Sequence, residues 1–228
     1  MRIESIFIWK RYILLLNLEG CVIIDTGSPV SFHQSGAITF AGEVHKCARS
    51  IPGVDPNAMS EELNQKILGL IGMDIMTKYD NIVFDYHSGQ ITIDAVIDDR
   101  CLSAIPSYNI MGASAVDLLI EGKTARMFMD TGAPTSYISP QFIIGQSALE
   151  HVHDYHPFYG EFWSDTYQLT TKIHGNDVKM NFGTLPAILQ RPINMMGADG
   201  VIGYDLFSRF KLMYKQGNWF FVNKNSND

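Results

Sequence analysis

Short apolar runs rich in β-branched and aromatic residues alternate with turn signals such as HSGQ, HGND and KQGN along most of this chain. That alternation predicts many brief strands and little helix. The best helical candidate is NAMSEELNQKIL, with Asn57 or Ser60 as its cap and acids early in the run, and two further short turns are expected after Gly72 and Gly203. Asp74 and Asp205, two residues past those glycines, read as caps of these turns. One apolar run, CVII, leads straight into Asp25-Thr26-Gly27, although a carboxylate at the end of a buried strand is costly unless something uses it.

The same arrangement returns as ARMFMDTGAPTSYIS, with Asp130-Thr131-Gly132. Around each tripeptide the order of landmarks is the same: strand, Glu-Gly turn, apolar strand, Asp-Thr-Gly, a variable middle, apolar-apolar-Gly, a short helix, and a strand pair around a glycine. Self-similarity at this scale predicts two lobes of one design. The stretch DDRCLSAIPSYNIMGASA, with its Pro, Gly and Ser, reads as the crossover, which gives an N-terminal lobe of residues 1–100 and a C-terminal lobe of residues 101–228.

Composition narrows the function classes. The chain has 228 residues, 46% apolar and 18% charged, enough to bury a substantial core. Its net charge of −7 comes without a basic stripe, so neither nucleic acid nor a membrane surface is an expected partner. Cys21, Cys47 and Cys101 are odd in number and lack C-x-x-C spacing, which points to neither a disulfide framework nor zinc and fits a reducing compartment. The opening MRIESIFIWKRYILLLNLEG mixes charge into its apolar residues and reads as mature, soluble protein, with a cytoplasmic location expected. The segment HVHDYH places His151, His153 and His156 together, but no second cluster supplies further ligands and the spacing is not that of a metallohydrolase, so no metal is expected. Ser28, Ser136 and Ser139 lie outside any G-x-S-x-G elbow.

Two Asp-Thr-Gly motifs, each on an apolar strand and each followed by apolar-apolar-Gly, resemble the aspartic proteases of the retropepsin and pepsin kind. LIGMDIM and YQLTTKIHGNDVKMNFGTLPAIL look like the matching segments of retroviral and retrotransposon-type members. The resemblance covers nearly the whole chain. It implies an all-β acid-protease fold, two pseudo-twofold-related lobes with a cleft between them, and a peptide or protein substrate. Asp25 and Asp130 would be the catalytic pair, with no cofactor. Gly27 and Gly132 would let the loops approach, and Thr26 and Thr131 would interlock across the axis. One chain carrying both motifs is expected to act as a monomer. Ser28 resembles the pepsin-like choice, whose hydroxyl could donate to a carboxylate, and Ala133 the retropepsin-like one, which cannot; Asp25 is therefore expected to carry the charge and Asp130 the proton. The rivals are a catalytically silent peptide-binding module and a peptidase restricted to self-processing or to one dedicated partner.

Two finer expectations concern architecture. ESIFIW and NWFFVN, near the two ends, are expected to neighbour each other in one interlobe sheet. From Asp25 to Gly72 is 47 residues and from Asp130 to Gly203 is 73, so the second lobe has 26 more between landmarks. The excess includes HDYHPFYGEFW, so a single flap from the C-terminal lobe is expected, with Phe158, Tyr159, Gly160, Phe162 and Trp163 closing over substrate, and no flap from AITFAGEVHKC in the first lobe.

Overall fold

The computed structural model describes residues 1–17 and 19–223. Its backbone is mainly strand, gathered into a ten-stranded sheet, an eight-stranded sheet and a separate two-stranded hairpin. Among the described residues, four short α-helices accompany them: α1 (Pro56–Leu63), α2 (Met73–Met76), α3 (Ala187–Met195) and α4 (Tyr204–Phe207).

Each half is built on the same pairing. Strand Gly20–Ile24 runs parallel to Ile67–Ile71, which is flanked on its other side by antiparallel Phe32–His33. Correspondingly, Lys123–Met129 runs parallel to Gly200–Ile202, flanked by antiparallel Ser136–Ile138. All five residues of Ile67–Ile71 are buried. That burial explains why α1 is shorter than its apolar pattern predicts: Asn64 takes a left-handed φ of 49°, the helix stops, and the remaining apolar residues go into a central strand. Its N-cap is Asp55, which accepts from the Asn57 amide at 2.9 Å, rather than Asn57 or Ser60.

α2 and α4 do follow Gly72 and Gly203, but Asp74 and Asp205 do not cap them. Both sit inside the first turn and reach sideways. Asp74 accepts from the Ser31 hydroxyl at 2.5 Å, and Asp205 from the Asn181 amide at 3.0 Å and the Arg209 guanidinium at 2.9 Å. The apolar-apolar-Gly signature has a steric cause. A Cβ at Gly72 would lie 2.7 Å from the carbonyl oxygens of Ser28 and Val30, and one at Gly203 would overlap the Ala133 carbonyl. Only glycine lets this strand end pass so close to the loop after each Asp-Thr-Gly.

Beneath the lobes, six strands form a continuous platform in the order Leu102–Ile105, Asn218–Val222, Leu212–Lys215, Asn81–Asp85, Gln90–Ile93, Arg2–Trp9. The two end strands share this sheet but are not neighbours, contrary to expectation. Arg2–Trp9 pairs with Gln90–Ile93 and Asn218–Val222 with Leu102–Ile105, because each closing hairpin keeps its own partner and the two hairpins meet through Asn81–Asp85 and Leu212–Lys215. One apolar core runs through both halves and includes Ile24, Met129, Phe84, Phe207 and Trp219. Trp219 is fully buried, its indole N–H donating to Ser114 Oγ at 2.8 Å.

Candidate active site

The two Asp-Thr-Gly loops meet where the parallel strand pairs of the two halves end. The Asp25 amide donates to Ile71 O at 2.9 Å and the Asp130 amide to Ile202 O at 3.0 Å, so both carboxylates leave their strands in the same way. The threonines lock the loops together. Each threonine hydroxyl accepts from the other's amide at 3.0 Å and donates at 2.8 Å across the interface, Thr26 to Met129 O and Thr131 to Ile24 O. Both side chains are about 1% exposed, so these four groups have no water to fall back on.

The same junction presses the carboxyls together. A Cβ at Gly27 would overlap the Asp130 carboxyl, and one at Gly132 would lie 2.8 Å from the Asp25 carboxyl carbon. Each acid is held by a loop amide: Ser28 N–H donates to Asp25 Oδ1 at 2.9 Å and Gly132 N–H to Asp130 Oδ1 at 2.8 Å. The carboxyls are open to the cleft on one side and enclosed elsewhere. Burial raises both pKa values, Asp25 moderately and Asp130 well above the usual carboxylate range. The charge of Asp25 adds to the rise at Asp130, and the hydrogen bond between the two carboxyls lowers Asp25 while raising Asp130. Burial and the closeness of the two acids therefore favour one proton shared by the pair over two charges.

The hydroxyl expected to favour ionisation of Asp25 does not reach it. The Ser28 hydroxyl donates to Val30 O at 2.8 Å, turned back into its own loop, and only the Ser28 amide reaches Asp25. Ala133 is buried and contributes no hydroxyl. A second pair of serines ties each loop to its glycine, with Ser31 Oγ accepting from the Gly72 amide at 2.8 Å and Ser136 Oγ from the Gly203 amide at 3.0 Å. Each lies six residues after its aspartate, in DTGSPVS and DTGAPTS, a repeated spacing that could have marked them.

Above the pair lies a cavity of about 630 Å³ with mostly apolar walls. The N-terminal half supplies Tyr12, Ile51, Val54, Met59 and Leu63; the C-terminal half supplies Leu185, Leu189, Pro192 and Ile193, largely from α3. α3 is not among the expected helices, although Leu185, Leu189 and Ile193 recur at four-residue spacing. Among the described residues, no Lys or Arg lines the cavity.

The roof is a hairpin of Glu150–His156 and Gly160–Ile173, which comes from the C-terminal half. Its five singled-out residues separate. Phe158 lines the cavity and crosses to the other half, where its ring rests against Gly53 so closely that a Cβ there would be 2.8 Å away. Gly160 provides the turn with φ +87°. Phe162 also lines the cavity but is a buried anchor, its ring 5.8 Å from that of Tyr137. Tyr159 and Trp163 do not line it. Trp163 is on the outer face, stacked on His151 at 5.1 Å and beside His153 at 5.2 Å, because alternate residues of a strand point to opposite sides. In the first half a hairpin does form, Ala37–Phe40 with Glu43–Lys46, but it turns Ile38 and Phe40 into the core and has no residue in the cavity wall.

No protein-family model matches the chain, and no curated protein matches it. Among solved structures, the aspartic proteinase from Irpex lacteus aligns at a TM-score of 0.52 with 12% identity, over 98% of this chain and 97% of that one. The EIAV protease aligns at a TM-score of 0.32 with 16% identity, over 45% of this chain and 91% of that one. The chain has the mostly β fold of the aspartic proteinases, in two lobes. Among the described residues, no helix is long and apolar enough to cross a membrane.

Proposed function

We propose that this chain is an aspartic endopeptidase, with lobes of residues 1–100 and 101–228, that works as a monomer. The observation that supports this most is the pairing of Asp25 and Asp130 at the floor of a peptide-sized apolar cleft, locked by reciprocal threonine bonds. Two carboxyls this close cannot both ionise cheaply, so they hold one proton between them. Ionised Asp25 takes a proton from a water as that water attacks the peptide carbonyl carbon. Protonated Asp130 gives its proton to the carbonyl oxygen, forming a gem-diol. Return of a proton to the nitrogen breaks the C–N bond, with no covalent intermediate and no cofactor in the scheme. Thr26, Gly27, Ser28, Thr131, Gly132 and Ala133 hold the geometry, and the C-terminal hairpin, with Phe158 at its tip, excludes water above the bound peptide.

Incubating the purified chain with a diverse peptide mixture at several acidic and neutral pH values, with and without a statine-type transition-state mimic, tests this. Cleavage that the mimic suppresses is expected. Tight binding of the mimic without cleavage would instead identify a silent peptide-binding module, and cleavage of a single dedicated protein a restricted peptidase.

A further inference from the structure

The cavity wall holds a tyrosine that the proposed chemistry leaves unused. Tyr12 opens the strand Tyr12–Asn17, directly after a two-residue turn in which Lys10 and Arg11 take left-handed φ angles of 47° and 70°. The turn is fastened on both sides. Trp9 and Lys10 donate to the last carbonyls of α1, Leu63 O and Glu62 O, and the Arg11 guanidinium lies 6.0 Å from the ring of Tyr204, in α4 of the other lobe. Tyr12 is thereby held between the lobes, partly buried and packed against the apolar N-terminal cluster that includes Met59, Leu63 and Leu70. Its counterpart in the second lobe is Ala113, which follows the turn of Met111 and Gly112 in the same way but is not part of the cavity wall.

The hydroxyls of the wall are not equivalent. Ser28 donates to Val30 O and Tyr137 to Asp154 Oδ2. Among the described residues, nothing accepts the hydroxyl hydrogen of Tyr12 or of Tyr155. Tyr155 is at the margin, where besides burial only the charges of Asp55 and Glu62 reach it. Tyr12 is central. Burial, then the charges of Asp154, Glu62, Asp130 and Asp25, push its pKa well above the ordinary phenol range, so it keeps its hydrogen and stays a donor. A bound peptide brings the missing acceptor, because its carbonyls lose water in a mostly apolar cavity and need donors. The loop amides of Ser28 and Gly132 already bind the acids, and among the described residues no Lys or Arg lines the wall. The surrounding carboxyls disfavour an anionic acceptor, which leaves a neutral carbonyl.

We propose that Tyr12 is a substrate-binding residue whose hydroxyl donates to a main-chain carbonyl of the bound peptide, beside Asp25 and Asp130. The inference deepens the endopeptidase reading and rests on it for the identity of the ligand.

Tyr12→Phe removes the hydroxyl and keeps the ring, so the melting temperature is expected to stay in place. Across peptides that differ in their side chains, the variant should raise KM and weaken a statine-type mimic by about three- to tenfold, the size of one neutral hydrogen bond, by a similar factor for every peptide and with little change in kcat. A series of mimics with one backbone carbonyl at a time reduced to methylene complements this, and its wild-type arm does not depend on the variant folding. One member of the series should bind wild type more weakly than the parent mimic does, while Tyr12→Phe should bind that member and the parent equally. Unchanged KM and mimic affinity in Tyr12→Phe, a loss confined to peptides with one kind of side chain, or a series in which no carbonyl matters to wild type would overturn the proposal. If wild type binds the mimic but cleaves nothing, and Tyr12→Phe still weakens binding, the endopeptidase reading fails and the Tyr12 contact stands. If wild type cleaves and the variant matches it, the reverse holds. A chain that binds no mimic and cleaves no peptide loses both.

Discussion

Thr26 and Thr131 accept each other's amide hydrogen at the same 3.0 Å and are buried to the same degree. The cleft floor is thus one hydrogen-bonded unit with a member from each lobe. Replacing either threonine by valine keeps its shape and strands one amide and one carbonyl in a dry site. Each variant is expected to lose about 2–4 kcal/mol in denaturant melts, while serine at either position retains most of the stability. A valine variant as stable as wild type would show that the interlock contributes nothing to the fold.

Stability should depend on pH with a definite sign. Asp130 keeps its proton well above the ordinary carboxylate range because it is buried beside the charge of Asp25, whereas an unfolded chain releases it near pH ~4. Between those values the folded chain binds more protons, so stability falls as pH rises, by up to about 1.4 kcal/mol per pH unit. Asp130→Asn should flatten that slope and melt higher than wild type at neutral pH. Parallel melting curves across pH for the two proteins would contradict the assigned proton.

The hairpin aromatics should sort by the face they occupy. Phe162→Ala removes a buried ring from its contact with Tyr137 and is expected to cost about 3–5 kcal/mol of stability. Phe158→Ala should leave the melting temperature in place and raise KM roughly tenfold, since the ring lines the cavity and meets Gly53 of the other lobe. Trp163→Ala, on the outer face, should change neither much. A large KM effect from Trp163 with none from Phe158 would mean that the hairpin binds peptide through its other side.

What could be read in advance follows from how local each signal is. The duplicated Asp-Thr-Gly and the later glycines are short strings whose chemistry is self-contained: two acids, and two positions where a Cβ collides with a carbonyl. Strand order is not local. ESIFIW and NWFFVN have the composition of sheet strands, but which strands they touch depends on the hairpins beside them, and those place four hydrogen-bonded strand boundaries between the two. Rotamers are equally hidden, as the Ser28 hydroxyl bonded to Val30 illustrates, and so is the face that Trp163 takes. Asp154 is concealed among the three histidines of HVHDYH, and its burial against Tyr137 is visible only in the structure.

The most direct test of the shared-proton pair is side-by-side cleavage of the same peptide mixture by wild type, Asp25→Asn and Asp130→Asn, with products identified by mass spectrometry and folding checked by thermal melts. Wild type is expected to produce discrete internal cleavages, and each variant to lose them by at least about 10²- to 10⁴-fold while remaining folded, because either substitution removes one half of a single acid-base device. Near-normal turnover in either folded variant would contradict the assignment.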